Sequence, residues 1–286
     1  MIDAALRARG PYSMRLSTRL GSDATRVVRE GKLTAVVEAE GRFEIASAWQ
    51  LPDGTVRVRA PSEAAVERVR FLLGLDDDHS EFLERFSGDP MLGATTRALR
   101  GLRPMRVGTV AQALLRAVAG QLITAKRARA IERKIVRAAT PEVEGTGLHA
   151  PPSAASLARF APARLRALGL GSRRGATLVR LCRAVELERL RELPTAAAAA
   201  RLERERGLGP WSVGVVCLEG LGRFERGLVG DLGLVKLCSA QRGRWVETWE
   251  TAELLEPYGD WAGLASVYLL AGYRQGLVPI PRSAAA

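Results

Sequence analysis

The stretch that decides the fold is Leu202 to Val216, LERERGLGPWSVGVV. A helical pattern stops at Gly207 and restarts after Pro210, so Gly207-Leu208-Gly209 is left as a tight connection. Glycine there frees the backbone for φ > 0 and leaves amide N–H groups with no side chain in front of them. Pro210 suits the first turn of the next helix, whose N-terminal amides and dipole favour an anion. The segment reads as two helices joined by a cradle for a phosphate, with Leu208 anchoring the turn to a core. Taken alone it reads better as an ordinary Gly-terminated helix followed by a Pro-started one, since that pattern is common, so its neighbours have to decide.

Beyond the second helix comes Gly222 to Lys236, GRFERGLVGDLGLVK. An apolar Leu228-Val229 leads into Gly230-Asp231, and a new helix is expected from Leu232. Asp231 by itself is an N-cap residue. Charge supplies an independent clue. Residues 1–100 carry 15 basic and 15 acidic side chains and residues 201–286 carry 10 of each, whereas residues 101–200 carry 18 and 6. The whole excess of +12 falls in the middle third, and a localised basic surface attracts a polyanion such as nucleic acid. Lys126, Arg129, Arg133 and Arg137 follow one another at three- and four-residue steps, so they form one basic stripe on an expected helix.

Reading outward, the first hundred residues differ from the rest. Arg42 to Ala60 alternates at Phe43/Ile45 and Val56/Val58 around Pro52-Asp53-Gly54, and Leu33 to Glu38 supplies a further strand. Ser62 to Leu73 follows as a helix. Asp76-Asp77-Asp78 reads as a solvated turn or helix start rather than a metal site. From about Glu81 the pattern is helical. Val110 to Ala119 puts Val110, Leu114, Leu115 and Val118 on one face, Thr140 to Pro152 reads as a loop, and Ser153 to Ala167 as one capped helix. Leu168-Gly169-Leu170-Gly171 breaks the chain before a helix over Arg173 to Leu190, and Pro194-Thr195 opens another through Arg204. The expected class is α+β, mainly α. A small antiparallel sheet domain spans residues 1–80, and a helical region spans 81–286 as two subdomains with a cleft between them.

The order of a phosphate hairpin, one helix, a loop and an Asp at a helix start resembles the helix–hairpin–helix DNA glycosylase superfamily. Two further segments extend the likeness toward its 3-methyladenine DNA glycosylase II subgroup. Leu115 to Ile131, LRAVAGQLITAKRARAI, is similar to that family's R-A-I-x-G-Q-L/Q-x-S helix, and Leu168 to Ala176, LGLGSRRGA, to its L-G-L-S-x-x-K-A turn. The small N-terminal sheet fits the same layout, so the resemblance spans roughly residues 30–275. It implies a monofunctional N-glycosylase of base excision repair that flips out alkylated bases of the 3-methyladenine type from double-stranded DNA and removes them by hydrolysis. Asp231 is then the catalytic carboxylate. Gly207, Leu208, Gly209, Gln121, Leu122, Lys126 and Arg173 meet DNA, with Leu122 as the wedge that fills the vacated space and Gln121 bonding near the opposite strand. The competing reading of Leu122 is a core leucine that continues the Val110–Val118 stripe. Trp211 and Tyr273 would line the base pocket, where an aromatic face attracts a cationic base; for both, core packing is the alternative. Bifunctional relatives carry a Schiff-base Lys where Trp211 stands, so no strand-cutting lyase step is expected. The chain departs from the family pattern at Arg206, where a Pro usually precedes the first hairpin Gly, at Gly230 before the Asp, and at Ala265, where an Arg is expected.

Other classes are disfavoured. Cys182, Cys217 and Cys238 are too few and too scattered for the iron–sulfur cluster of some relatives, and only His79 and His149 are available, in polar contexts, for imidazole chemistry. The expected cofactor is none, apart from a monovalent cation at the hairpin. The glycine pairs complete neither a Rossmann nor a P-loop pattern. Met1 to Leu20 lacks the apolar centre of a signal peptide and no apolar run spans a bilayer, so a cytoplasmic monomer, nucleoid-associated if bacterial, is expected. Two alternatives stay open on the sequence. One is a glycosylase for oxidised or deaminated bases; the other is a non-catalytic DNA-binding protein on the same scaffold.

Overall fold

A computed structural model of the chain describes residues 1–280 apart from Leu20 and Glu144. About half of it is helical, with a five-stranded antiparallel sheet near the N-terminus. The strands are β1 (Ile2–Leu6), β2 (Arg26–Arg29), β3 (Lys32–Ala39), β4 (Arg42–Gln50) and β5 (Val56–Ala60), in the order β1-β5-β4-β3-β2. The alternation read at Arg42 to Ala60 becomes the β4–β5 hairpin, with Ala48 opposite Val58. Ala46, Ala48, Val56 and Val58 point to one face, where Val66, Val69 and Leu72 of the helix Glu63–Leu72 cover them. Ser62 caps that helix by accepting from the Ala65 amide. β1 and β2 lie outside the strands expected from sequence. β1 is a short edge segment that acquires its partner, β5, only from 50 to 58 residues away in the register Ile2↔Ala60 to Leu6↔Val56.

The remainder is helical around a second, larger core centred on the helix Val110–Gly120, which is buried on all sides rather than along one stripe. Three segments differ from their sequence reading. Ser153 to Ala167 is two short helices, Ala154–Ala158 and Pro162–Ala167, because Pro162 cannot continue the first and starts the second instead. The helix expected through Leu190 ends at Ala184 and is followed by a 3₁₀ turn over Leu187–Arg191. Within Thr140 to Pro152, Glu142–Val143 and Leu148–His149 pair as a small antiparallel ladder, and the His149 amide donates to the Ala24 carbonyl. Among the described residues no helix is long and apolar enough to cross a membrane.

The seam between sheet and helices is ionic. Arg116, on the central helix, bonds Asp23 (2.9 Å), Glu132 (2.8 Å) and Glu219, while Arg26 donates to the Gly21 carbonyl at 2.7 Å. Burial pushes the Asp23 carboxyl up, but the Arg26 and Arg116 guanidiniums outweigh it and hold the group below its ordinary range. Asp77, read as part of a solvated acidic run, is instead largely buried on Arg106 at 2.5 Å. His79 is likewise not in a polar setting. Its ring is buried edge-on to Phe224, 4.8 Å between centroids.

Candidate active site and DNA-binding face

Gly207 ends the helix Thr195–Glu203 and its following turn with φ +97°, a conformation that an L side chain resists. Leu208 is buried in the main core. Gly209 has an ordinary φ of −100°, and nothing lies within 4 Å of where its side chain would be. The backbone therefore does not require glycine at 209, and neither does internal packing; the space is open to solvent. The helix Pro210–Val215 starts directly after it and runs on into a π-helical stretch, Val216–Leu221. Among the described residues the amides of Gly209, Trp211 and Ser212 have no acceptor; Gly209 is exposed, Trp211 half-buried and Ser212 buried.

Asp231 is the N-cap of the helix Leu232–Arg242. Its Oδ1 accepts from the Gly233 amide at 2.7 Å and its Oδ2 from the Trp211 indole Nε1 at 3.0 Å. The turn before it depends on Gly230, which has φ +86° and donates to Thr251 Oγ1 at 2.7 Å. This departure from the family pattern is thus a backbone requirement of the local turn. Trp211 reaches Asp231 because Gly120 carries no side chain: a Cβ there would come within 2.5 Å of the indole ring. Trp211 is half-buried, with its edge on the carboxylate. Tyr273 is half-buried on the last helix, Ala262–Arg274. Among the described residues it makes no hydrogen bond or ring contact with Asp231 or Trp211, although Leu270, one turn earlier, packs over Gly233. Ala265 is fully buried in the same helix.

Gln121 and Leu122 form the turn between the helices Val110–Gly120 and Ala125–Ala139. Leu122 is 103% exposed with φ +58°, so it is not a core leucine. A left-handed non-glycine residue costs about 1 kcal/mol or more, and here no buried apolar contact offsets it. Gln121 Nε2 donates to the Gly207 carbonyl (2.9 Å) and Ser212 Oγ (3.0 Å), joining the two turns. Lys126, Arg127 and Arg173 are exposed and have no carboxylate partner among the described residues. Arg129, expected on the same stripe, turns to Glu132 at 3.0 Å, and Arg103, Arg106 and Arg116 are buried. Part of the basic excess is therefore structural. Sequence reading also missed Arg174, whose Nη1 donates to the Ala119 (3.3 Å) and Gln121 (2.9 Å) carbonyls; one arginine in an Arg-Arg pair carries no signal of which backbone it will meet.

No protein-family profile matches the chain. A DNA-3-methyladenine glycosylase of Bacillus subtilis is 27% identical over 217 residues, 72% of this chain and 71% of that protein. The probable bifunctional transcriptional activator/DNA repair enzyme AlkA of Mycobacterium tuberculosis is 30% identical over 173 residues, but this chain spans only 35% of its length. Among solved structures, the 3-methyladenine DNA-glycosylase of Archaeoglobus fulgidus superposes with a TM-score of 0.83 at 22% identity, over 95% of this chain and 98% of that one. The chain thus resembles the helix–hairpin–helix DNA glycosylases and has their fold. The 8-oxoguanine glycosylase/lyase of Clostridium acetobutylicum shares the glycosylase fold almost as closely, with a TM-score of 0.78 at 17% identity over 96% and 99%. The glycosylase scaffold is thus common to proteins named for different lesions, and side chains at the site have to carry the distinction.

Proposed function

We propose that the protein is a monofunctional DNA N-glycosylase that extrudes and hydrolytically removes alkylated bases of the 3-methyladenine type. The observation that carries this reading is the Asp231 carboxylate, fixed by the Trp211 indole and the Gly233 amide in a chain that places tryptophan where lyases place their amine. Cleavage of the N-glycosidic bond builds positive charge on the sugar. A preorganised carboxylate stabilises that charge and orients the attacking water. The acceptor-free amides of Gly209 and Trp211 take a backbone phosphate beside the lesion, with Lys126, Arg127 and Arg173 adding charge and Leu122 filling the gap left by the extruded nucleotide. The Trp211 ring presents an electron-rich face to a cationic alkylated base. No amine is available at this position for a Schiff base, so the strand stays intact.

The test is to incubate the protein and its Asp231→Asn variant with duplex DNA treated with a methylating agent, to identify free bases by mass spectrometry, and to score strand breaks with and without alkali. The wild type is expected to release methylated purines at least about 10²-fold faster than the variant, the scale for losing a preorganised electrostatic group, with breaks only after alkali. Equal release by both proteins, or breaks without alkali, refutes the assignment.

A further inference from the structure

We propose that Arg174 is a positioning residue: it holds the Gln121-Leu122 turn in its strained, outward shape and, together with Gln121, locks that turn to the phosphate hairpin. The proposal rests on the reading of Leu122 as the wedge of a glycosylase.

A helix that reverses through a left-handed residue ordinarily uses glycine, which leaves the last carbonyls to be satisfied by the turn itself. This chain puts leucine in that conformation, at φ +58°. The missing support comes from another helix. From Ser172–Ala184, Arg174 sends one guanidinium nitrogen to the carbonyls of Ala119 and Gln121, on either side of Gly120 and immediately before Leu122. A cation at a helix C-terminus also complements the helix dipole.

The same helix governs the hairpin. Arg174, Thr177 and Arg180 follow at three-residue steps on one face. Thr177 lies under Gly207, where an added Cβ would come within 2.9 Å of it, and Arg180 donates to the Arg206 carbonyl at 2.5 Å and to Glu205 at 2.6 Å. Gln121 closes the frame from the other side through the Gly207 carbonyl and Ser212 Oγ. One rigid helix face thus sets both the turn that presents amides and the turn that presents an apolar side chain. Engagement of a phosphate by the hairpin therefore fixes where Leu122 meets the base stack.

Two measurements test this. In a thermal-unfolding cycle, Arg174→Met, which keeps the aliphatic stem, is expected to lower Tm by about 3 °C in the wild-type background and by less than half as much in Leu122→Gly, because glycine needs no brace to adopt φ > 0. An equal drop in both backgrounds overturns the proposal. In single-turnover assays on 7-methylguanine, Arg174→Met is expected to slow release at least tenfold when the base is paired in a duplex, and less than twofold when it sits in a three-nucleotide bubble, where extrusion is cheap. In the Leu122→Gly background Arg174→Met should add nothing. Equal slowing on both substrates, or an additive loss in the double variant, shows that Arg174 acts on DNA or on the fold directly and overturns the proposal. If the wild type releases no base from either substrate, the glycosylase reading fails by itself, and the thermal cycle still decides the brace.

Discussion

Two short turns in this molecule each carry one leucine between two helices, and they use it in opposite ways. In Gly207-Leu208-Gly209 the side chain is buried and the Gly209 amide is left without an acceptor among the described residues; in Gln121-Leu122 the side chain is fully exposed and the last carbonyls are tied down by Arg174. The hairpin takes its left-handed residue as glycine, so its strain is small and its function lies in the backbone. The second turn places leucine in the left-handed region, so its function lies in the side chain and its shape has to be enforced from outside. Backbone presentation is independent of base identity, which suits phosphate; a protruding apolar group suits the interior of a base stack.

That contrast can be broken at specific positions. The largest effect is expected from Gly207→Val, which forces a β-branched residue to φ +97° against Thr177. It should cost about 1–3 kcal/mol of stability and reduce affinity for undamaged duplex at least tenfold, read by denaturant unfolding and fluorescence anisotropy. Normal stability and affinity would show that the hairpin does not depend on its backbone. Gly209→Asp is milder: φ is ordinary and the space is open, so the unfolding midpoint should be unchanged while affinity falls about tenfold through repulsion of the phosphate. A variant that binds DNA as well as the wild type would move the phosphate elsewhere.

Leu122→Ala sharpens the opposite case. Stability and affinity for undamaged duplex should stay within about twofold, while release of a methylated base from duplex slows about tenfold, because only extrusion is lost. Unimpaired release would remove Leu122 from the extrusion step. The smallest effect on DNA handling lies away from both turns, in the acid stability of the fold. Burial, reinforced by the nearby positive charges of Arg103 and Arg106, lowers the His79 pKa from 6.5 to about 3. Below pH 6.5 the unfolded chain takes up a proton that the folded chain refuses until about pH 3. Stability should therefore fall across that window, by up to about 1.4 kcal/mol per pH unit. His79→Leu should flatten the Tm–pH curve there, and an unchanged slope would assign the acid sensitivity to other groups.

How far the chain could be read before folding follows from how local each signal is. The hairpin and the Asp231 helix start were legible because Gly, Pro and Asp have conformational preferences that act within four residues. The hairpin β4–β5 was legible from alternation around Pro52-Asp53-Gly54. Strand β1, by contrast, is defined by β5, fifty or more residues away, and the roles of Gln121, Arg174 and Arg116 depend on carbonyls and carboxylates brought in by other helices. Long polar side chains advertise charge but not destination. That is why the basic stripe was only partly right, with Lys126 outside and Arg129 turned inward.

The interior placement of so many arginines has a consequence for ionic strength. A protein with a formal charge of +12 invites the expectation of a steep dependence of DNA binding on salt. Counterions leave DNA only where a cation replaces them, and the logarithm of affinity falls with the logarithm of salt by about 0.9 per phosphate neutralised. Arg103, Arg106 and Arg116 displace none, because they are buried and bonded inside the protein, Arg103 to backbone carbonyls and Arg106 and Arg116 to carboxylates. The salt slope should therefore count the handful of exposed cations around the two turns, well short of the net charge, and the complex should persist at salt concentrations that would strip a uniformly basic protein of the same charge from DNA.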